Sequence, residues 1–274
     1  MRSLRYLLPC TLALLSTTTV PAQGDPRIPV KEALQALAAA TNDAQRDSIN
    51  TELKKRMRAM LDIDESFGRN YDSLPMSRVD APDQRFRLFT WNVPRDDGSH
   101  LFEGFLLVNE PKVQTLFELR DMSHAIPSPE VPELGAEKWY GALYYDVIPV
   151  KKGGTTYYTL LGWKGHSRVE TRKVIEVMHF KGGKPRFGAP IFGSSGRVRP
   201  MRRVFGYSFQ ASMMLRYEPS LKAIVFDHLS PSRPEMVGQP AYYGPDMVQD
   251  AYFWYKGRWF LQPDVDLRDP KRPR

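Results

Sequence analysis

Two spacings of apolar and polar positions run along this chain, and they divide it near residue 64. From Val30 to about Leu61 the apolar side chains recur at helical intervals. Ala33, Leu34, Leu37 and Ala38 mark one face, and Ile49, Leu53, Met57 and Met60 follow at steps of four, four and three. Thr41-Asn42-Asp43 lies between them with cap-type side chains, which predicts two helices within 30–63. The apolar face lasts barely two heptads, so packing on the rest of the chain explains it better than a coiled-coil seam does.

From Arg85 onward the spacing shortens to that of strands. Strands are expected at 85–93, 100–109, 113–119, 139–147, 155–163, 172–180, 185–192, 203–209, 211–217, 223–228, 251–255 and 258–262. Short glycine-bearing links separate many of them: Asp96-Asp97-Gly98, Lys152-Gly153-Gly154, Lys164-Gly165-His166, Lys181-Gly182-Gly183 and Lys256-Gly257. Glycine tolerates the positive φ of tight hairpin turns, so successive hairpins and antiparallel meanders are expected. The stretches 157–163 and 171–180 carry apolar groups at odd and even positions alike, as a sheet covered on both faces requires. The fold class is therefore mainly β: antiparallel meander sheets in a layered or propeller-like arrangement, with an N-terminal helical pair. About a dozen strands would make roughly three four-stranded blades, short of the usual closed propeller.

The first 22 residues read as an export signal. Arg2 and Arg5 precede the apolar run 6–15, too short for a stable membrane anchor, and Val20-Pro21-Ala22 places small side chains before a cleavage point at Gln23. Cys10 lies inside the apolar run behind Pro9, so it is no lipid attachment site. The remaining segments are a flexible leader at 23–29, the helices at 30–63, a β-rich domain at 64–266 and a basic tail at 267–274. No later segment reaches 18 uninterrupted apolar residues, so no membrane span is expected. The destination is the periplasm, the cell surface or the medium.

Composition sharpens this. The 274 residues are 42% hydrophobic and 12% aromatic, which excludes a disordered chain, and Cys10 is the only cysteine. A disulfide scaffold, a CxxC redox pair and a cysteine zinc site are excluded with it. Removing the signal takes Arg2 and Arg5 but no acid, leaving 37 basic against 31 acidic side chains, a balance of +6. Export, that modest charge and the lack of a nucleic-acid-binding motif argue against nucleic acid as a partner.

The phrases Lys138-Trp139-Tyr140-Gly141-Ala142-Leu143-Tyr144-Tyr145, Tyr158-Thr159-Leu160-Leu161-Gly162-Trp163 and Phe226-Asp227-His228-Leu229-Ser230-Pro231 carry a resemblance. With Tyr243-Gly244-Pro245-Asp246 and Lys256-Gly257-Arg258-Trp259, the chain resembles a family of uncharacterised exported proteins of Bacteroidota, from about Asp64 to Asp266. The resemblance implies export; it assigns no activity and no catalytic residue.

Candidate chemistry falls in two places. Asp227 and His228, with Asp246 and Asp250 about twenty residues on, form the best acid–base group, since a carboxylate can orient an imidazole and raise its basicity. Neighbours on a strand point to opposite faces, so Asp227 and His228 share a site only where the strand has ended. Arg197, Arg199, Arg202 and Arg203 follow the Gly193-Ser194-Ser195-Gly196 turn and can grip a phosphate or sulfate. The turn itself lacks the GxSxG elbow of a serine hydrolase. The five histidines show no HExxH pairing, so no metal or cofactor is expected. The aromatics at 144–145, 157–158, 242–243, 252, 254–255 and 259 suit stacking on sugar rings wherever they are exposed, although most aromatics in strands fill a core. The expected function is a non-enzymatic ligand- or partner-binding module of the cell envelope, the ligand or protein partner being unknown; the alternative is a hydrolase acting through the Asp/His group.

Overall fold

The computed structural model describes residues 24–111, 113–193 and 199–266. The expected signal at 1–22 and the basic tail at 267–274 lie outside the described residues. Helix α1 (Arg27–Ala39) starts inside the stretch read as a flexible leader. Asp25 accepts the Arg27 N–H at 2.9 Å, and Pro29 falls in the first turn, where its missing N–H costs nothing. The break at Thr41–Asp43 is a cap as expected: the Asn42 side chain accepts the Gln45 N–H at 3.0 Å and opens α2 (Asp43–Leu61).

Thirteen strands follow among the described residues, in three antiparallel sheets. The first sheet holds β1 (Ser77–Asp80), β2 (Phe86–Pro94), β3 (His100–Glu110) and β4 (Val113–Arg120) in sequence order. The second holds β5 (Leu143–Lys152), β6 (Thr155–Gly165), β7 (Glu170–Lys181) and β8 (Lys184–Phe187). Strand β9 (Arg203–Ser208) pairs with the opening of β7, while β8 pairs with its end. The third sheet is β10 (Leu215–Glu218), β11 (Ala223–Pro231), β12 (Tyr243–Tyr255) and β13 (Arg258–Gln262). None of the three closes on itself, and the middle sheet packs against the first on one face and the third on the other.

The layers follow from side-chain parity. Along β6 and β7, Leu160, Val174 and Met178 face the first sheet, packing with Phe86, Phe102, Leu106 and Trp139. Their neighbours Leu161, Ile175 and Val177 face the third sheet, packing with Phe226, Tyr252 and Trp259. The middle sheet is thus buried on both sides, which is why its strands lack clean alternation. The helices cover the outer face of the first sheet, where Leu34, Leu37, Leu53 and Met57 meet Phe89, Trp91 and Phe105. Their apolar stripe is spent on this contact, the plainer of its two readings. A buried polar network accompanies it: Asn50 donates to Glu103 and accepts from the Trp91 indole, each at 2.9 Å, and Lys54 pairs with Glu103.

Strand bounds differ from expectation where burial imitates periodicity. Residues 139–142 form no strand; Trp139, Tyr140 and Ala142 are core side chains on a connecting segment. The strand expected at 185–192 stops at Phe187, because Gly188 takes φ 99° and turns the chain away. Turns at Gly98, Gly153-Gly154, Gly182-Gly183 and Gly257 occur as expected, all at positive φ. Lys164-Gly165-His166 is no hairpin turn: Lys164 and Gly165 close strand β6.

Candidate functional site

Three of the four residues of the expected acid–base group converge on the third sheet. The register of β11 against β12 slips between Asp227 and Leu229, leaving His228 on a bulge that re-aims its side chain. Its Nδ1 lies 2.9 Å from Asp250 Oδ2, and its Nε2 lies 3.9 Å from Asp246 Oδ2. Ser230 donates its hydroxyl to the same Asp246 oxygen, and Asp250 accepts the Asp264 N–H at 3.1 Å. Asp227 stands apart, since its carboxylate accepts the Met214 N–H at 2.7 Å and pins the approach to β10. The imidazole is 44% exposed. The cavity described below is lined by none of these side chains.

This arrangement binds two strands across an irregular register. The hydrogen bond to Asp250 holds the His228 pKa above its ordinary value, with Asp246 adding a smaller pull. A histidine whose folded pKa is raised stabilises fully below its unfolded value of about 6.5, and the gain disappears as pH climbs through the higher folded value. Urea unfolding of the protein and of His228→Asn should therefore differ most near pH 6 and converge above neutrality. A difference that stays constant with pH would show that the imidazole charge has no part in holding the bulge.

Among the described residues the arginines of the expected anion grip do not converge: Arg202 and Arg203 are committed to other partners, which corrects that reading for them. Arg197 lies outside the described residues, as do Ser194 and Ser195. Arg199 is exposed. Arg203 pairs with Glu130 at 3.2 Å, whose other oxygen accepts the Val204 N–H. Arg202 is fully buried against Glu176 at 2.7 Å and donates to the carbonyls of Pro129, Pro132 and Phe187. Its fork is consumed by the protein itself, and it belongs to the core rather than to a site.

A different constellation occupies a cavity of about 350 Å³ where the start of β3, the segment after β4 and the end of β6 meet. Its lining includes Arg95, His100, Leu101, Asp121, Ser123, His124, Lys164, His166 and Arg172. Lys164 is 2% exposed, yet its ammonium is bonded to the Ser123 hydroxyl at 2.8 Å and the Gly141 carbonyl at 2.7 Å rather than to a carboxylate. The ring centres of Phe102 and Tyr140 lie 4.3 and 4.7 Å from its nitrogen. Burial pushes its pKa down to about 8, against a smaller upward pull from Asp121.

Local backbone demands create this geometry. Asp121 accepts the N–H groups of Phe102, Ser123 and Gly141 at 3.1, 2.9 and 3.3 Å, gathering three segments around one carboxylate. Gly141 permits the approach, since a Cβ there would lie 2.4 Å from the Phe102 Cβ. Gly165 admits His100, whose ring would stand 2.5 Å from an added Cβ. Asn92 Nδ2 lies 3.0 Å from His100 Nδ1, so with the amide donating, Nε2 carries the proton. Burial lowers the pKa of His100, with Lys164 reinforcing it; burial and then Arg172 do the same to His166. Arg172 is held by Glu170 at 2.6 Å and by the Tyr140 hydroxyl at 3.0 Å.

Sequence reasoning missed this pocket because Lys164-Gly165-His166 imitates a turn. The available signal was that β6 keeps its strand spacing through Trp163 without a turn residue at positive φ being required. Among the described residues no group of three or more His, Cys, Asp or Glu side chains is arranged to hold a metal ion. Compared with known proteins, the chain finds no matching family model, no matching curated protein and no matching solved structure.

Proposed function

We propose that the protein is an exported, β-rich binding module of the cell envelope, and that its ligand is a small anionic molecule held in the Lys164 pocket. The observation that carries this reading is the charge of the lining. Lys164, Arg95 and Arg172 line the pocket with one carboxylate, Asp121, while the His100 and His166 imidazoles, held neutral by burial, offer hydrogen bonds rather than charge. A concave site with a few convergent polar groups and a lysine displaced from its ordinary pKa is where a ligand site is first sought. Arg95 and Arg172 already have carboxylate partners at 2.6 Å in Asp47 and Glu170, neither of which lines the cavity, so Lys164 is the lining cation hydrogen-bonded to no carboxylate. Export rests on the basic and apolar pattern of residues 1–22 and on the resemblance to exported proteins. Among the described residues no helix is long and apolar enough to cross a membrane.

One experiment tests both halves. The full chain is expressed in a Gram-negative host, recovered from the periplasm, and titrated calorimetrically with inorganic phosphate, acetate, succinate and glucuronate. The recovered chain should begin at Gln23, and at least one of these anions should bind. Arg172→Gln and Lys164→Met should each weaken that binding about tenfold or more, as loss of a charge-assisted hydrogen bond does. A chain retained in the cytoplasm overturns export. Binding of none of the four, or equal binding by both variants, overturns the anion site.

A further inference from the structure

We propose that Ser123 and Lys164 act as nucleophile and general base, and that the pocket opens short-chain carboxylic esters. This rests on the pocket being the ligand site and adds a reaction to it. Ser123 opens the short 3-10 turn Ser123–Ala125 at the pocket wall and is partly exposed, so its oxygen is reachable from the cavity. Its hydroxyl is 2.8 Å from a lysine nitrogen that is otherwise enclosed. Serine with a lysine base is a known replacement for the serine–histidine pair.

The surroundings of Lys164 fix which partner takes the proton. In the neutral amine one hydrogen goes to the Gly141 carbonyl at 2.7 Å, and the rings of Phe102 and Tyr140 flank the nitrogen. The lone pair is then free to face Ser123. Asp121 also accepts the serine hydroxyl. A carboxylate is a far weaker base than an amine, however, and burial brings the Lys164 amine down to about 8, within reach of neutral pH. Asp121 therefore positions Ser123 through its backbone N–H, and once the hydroxyl turns its proton from Asp121 to the neutral amine, Lys164 removes it.

The steps balance without a redox partner. Ser123 Oγ bonds to the ester carbonyl carbon while its proton passes to Lys164 Nζ. The carbonyl carbon–alkoxy oxygen bond breaks, and the same proton leaves on the departing alcohol. Water then attacks the acyl-serine, giving one proton to Nζ, which returns it to Ser123 Oγ as the carboxylic acid departs. Negative charge on the carbonyl oxygen develops beside Arg172 and the Nε2–H of His100, a lining that favours it. Leu101 is the only aliphatic side chain among the described lining residues, and the cavity is small, so the acyl group is short.

The test treats the full chain with a biotinylated fluorophosphonate and follows p-nitrophenyl acetate hydrolysis across pH 6–10. The expected result is a single adduct mapped by mass spectrometry to Ser123, with kcat/KM rising with pH and levelling above about 8. Ser123→Ala should lose the adduct, and Lys164→Met should lower the rate about 100-fold or more while both keep the circular dichroism spectrum of the parent. An unlabelled Ser123 in the folded parent protein, a pH profile without the step near 8, or unchanged hydrolysis by Ser123→Ala overturns the proposal. Anion titrations of Ser123→Ala separate the two readings. Binding that survives while the parent forms no adduct overturns the reaction alone, whereas an adduct at Ser123 with no anion bound supports the reaction and overturns the anion site.

Discussion

Arg202→Met should lower the free energy of unfolding by about 3–5 kcal/mol in urea titrations at neutral pH, as loss of one member of a buried ion pair does. Both partners are inaccessible to solvent, and Arg202 Nε meets Glu176 at 2.7 Å. Methionine fills much of the volume but donates nothing. It leaves the Glu176 carboxylate with the Val177 N–H as a remaining partner at 2.9 Å, and it takes a donor from three carbonyls, of which Phe187 keeps the Leu134 N–H at 2.7 Å. Burial already holds the Glu176 pKa above its ordinary value, and Arg202 is the main force opposing it. Without that arginine the folded pKa rises further. A raised carboxyl pKa means that the folded state binds the extra proton, so the deficit of the variant should narrow as pH falls. The double variant Glu176→Leu with Arg202→Met should be more stable than Arg202→Met alone, since no charge is left stranded. Equal losses in both variants would place the cost in the three carbonyls rather than in the pair.

The same residue shows where reading the sequence succeeds and where it stops. Alternation and glycine turns locate strands because both are local: φ at Gly153, Gly182 and Gly257 is decided by the turn it sits in. The double burial of the middle sheet is legible for a related reason, since Leu160-Leu161 and Val174-Ile175 must each find two apolar surroundings. Strand β1 escapes because its four residues form a sheet edge with one buried side chain, Val79. The destinations of Arg202 and Lys164 are not local. Each is a cation beside residues that suit a loop, and each is drawn into the core by acceptors far along the chain. For Arg202 these sit near 130, 176 and 187; for Lys164 they are Ser123 and Gly141. Of the acid–base group, the expected strand end after His228 is not found: β11 runs on to Pro231, and a register slip at His228 is what brings it to Asp246 and Asp250. The separation of Asp227 follows from its bond to Met214, which no spacing announces.

Trp259→Ala should cost about 3–5 kcal/mol, the range for deleting a buried tryptophan, and should do so without altering the pocket. Trp259 on β13 is 1% exposed and reaches from the third sheet to the middle one, donating its indole N–H to Thr159 on β6 at 3.0 Å. Its backbone is tied as well, bonding to Ile191 and Gly193 at 2.8 and 2.7 Å. Trp259→Phe keeps most of the apolar contact but leaves the buried Thr159 hydroxyl without that donor, and about 1–2 kcal/mol should be lost. Thermal melts followed by the fluorescence of the remaining tryptophans give both values. The Lys164 pocket belongs to the contact between the first and middle sheets, whereas Trp259 packs on the opposite face of β6. If the layers hold their own geometry, anion affinity measured well below the melting temperature stays at the parent value in Trp259→Ala while stability falls. If affinity falls with it, the middle sheet transmits its packing from one face to the other, and the site depends on all three sheets.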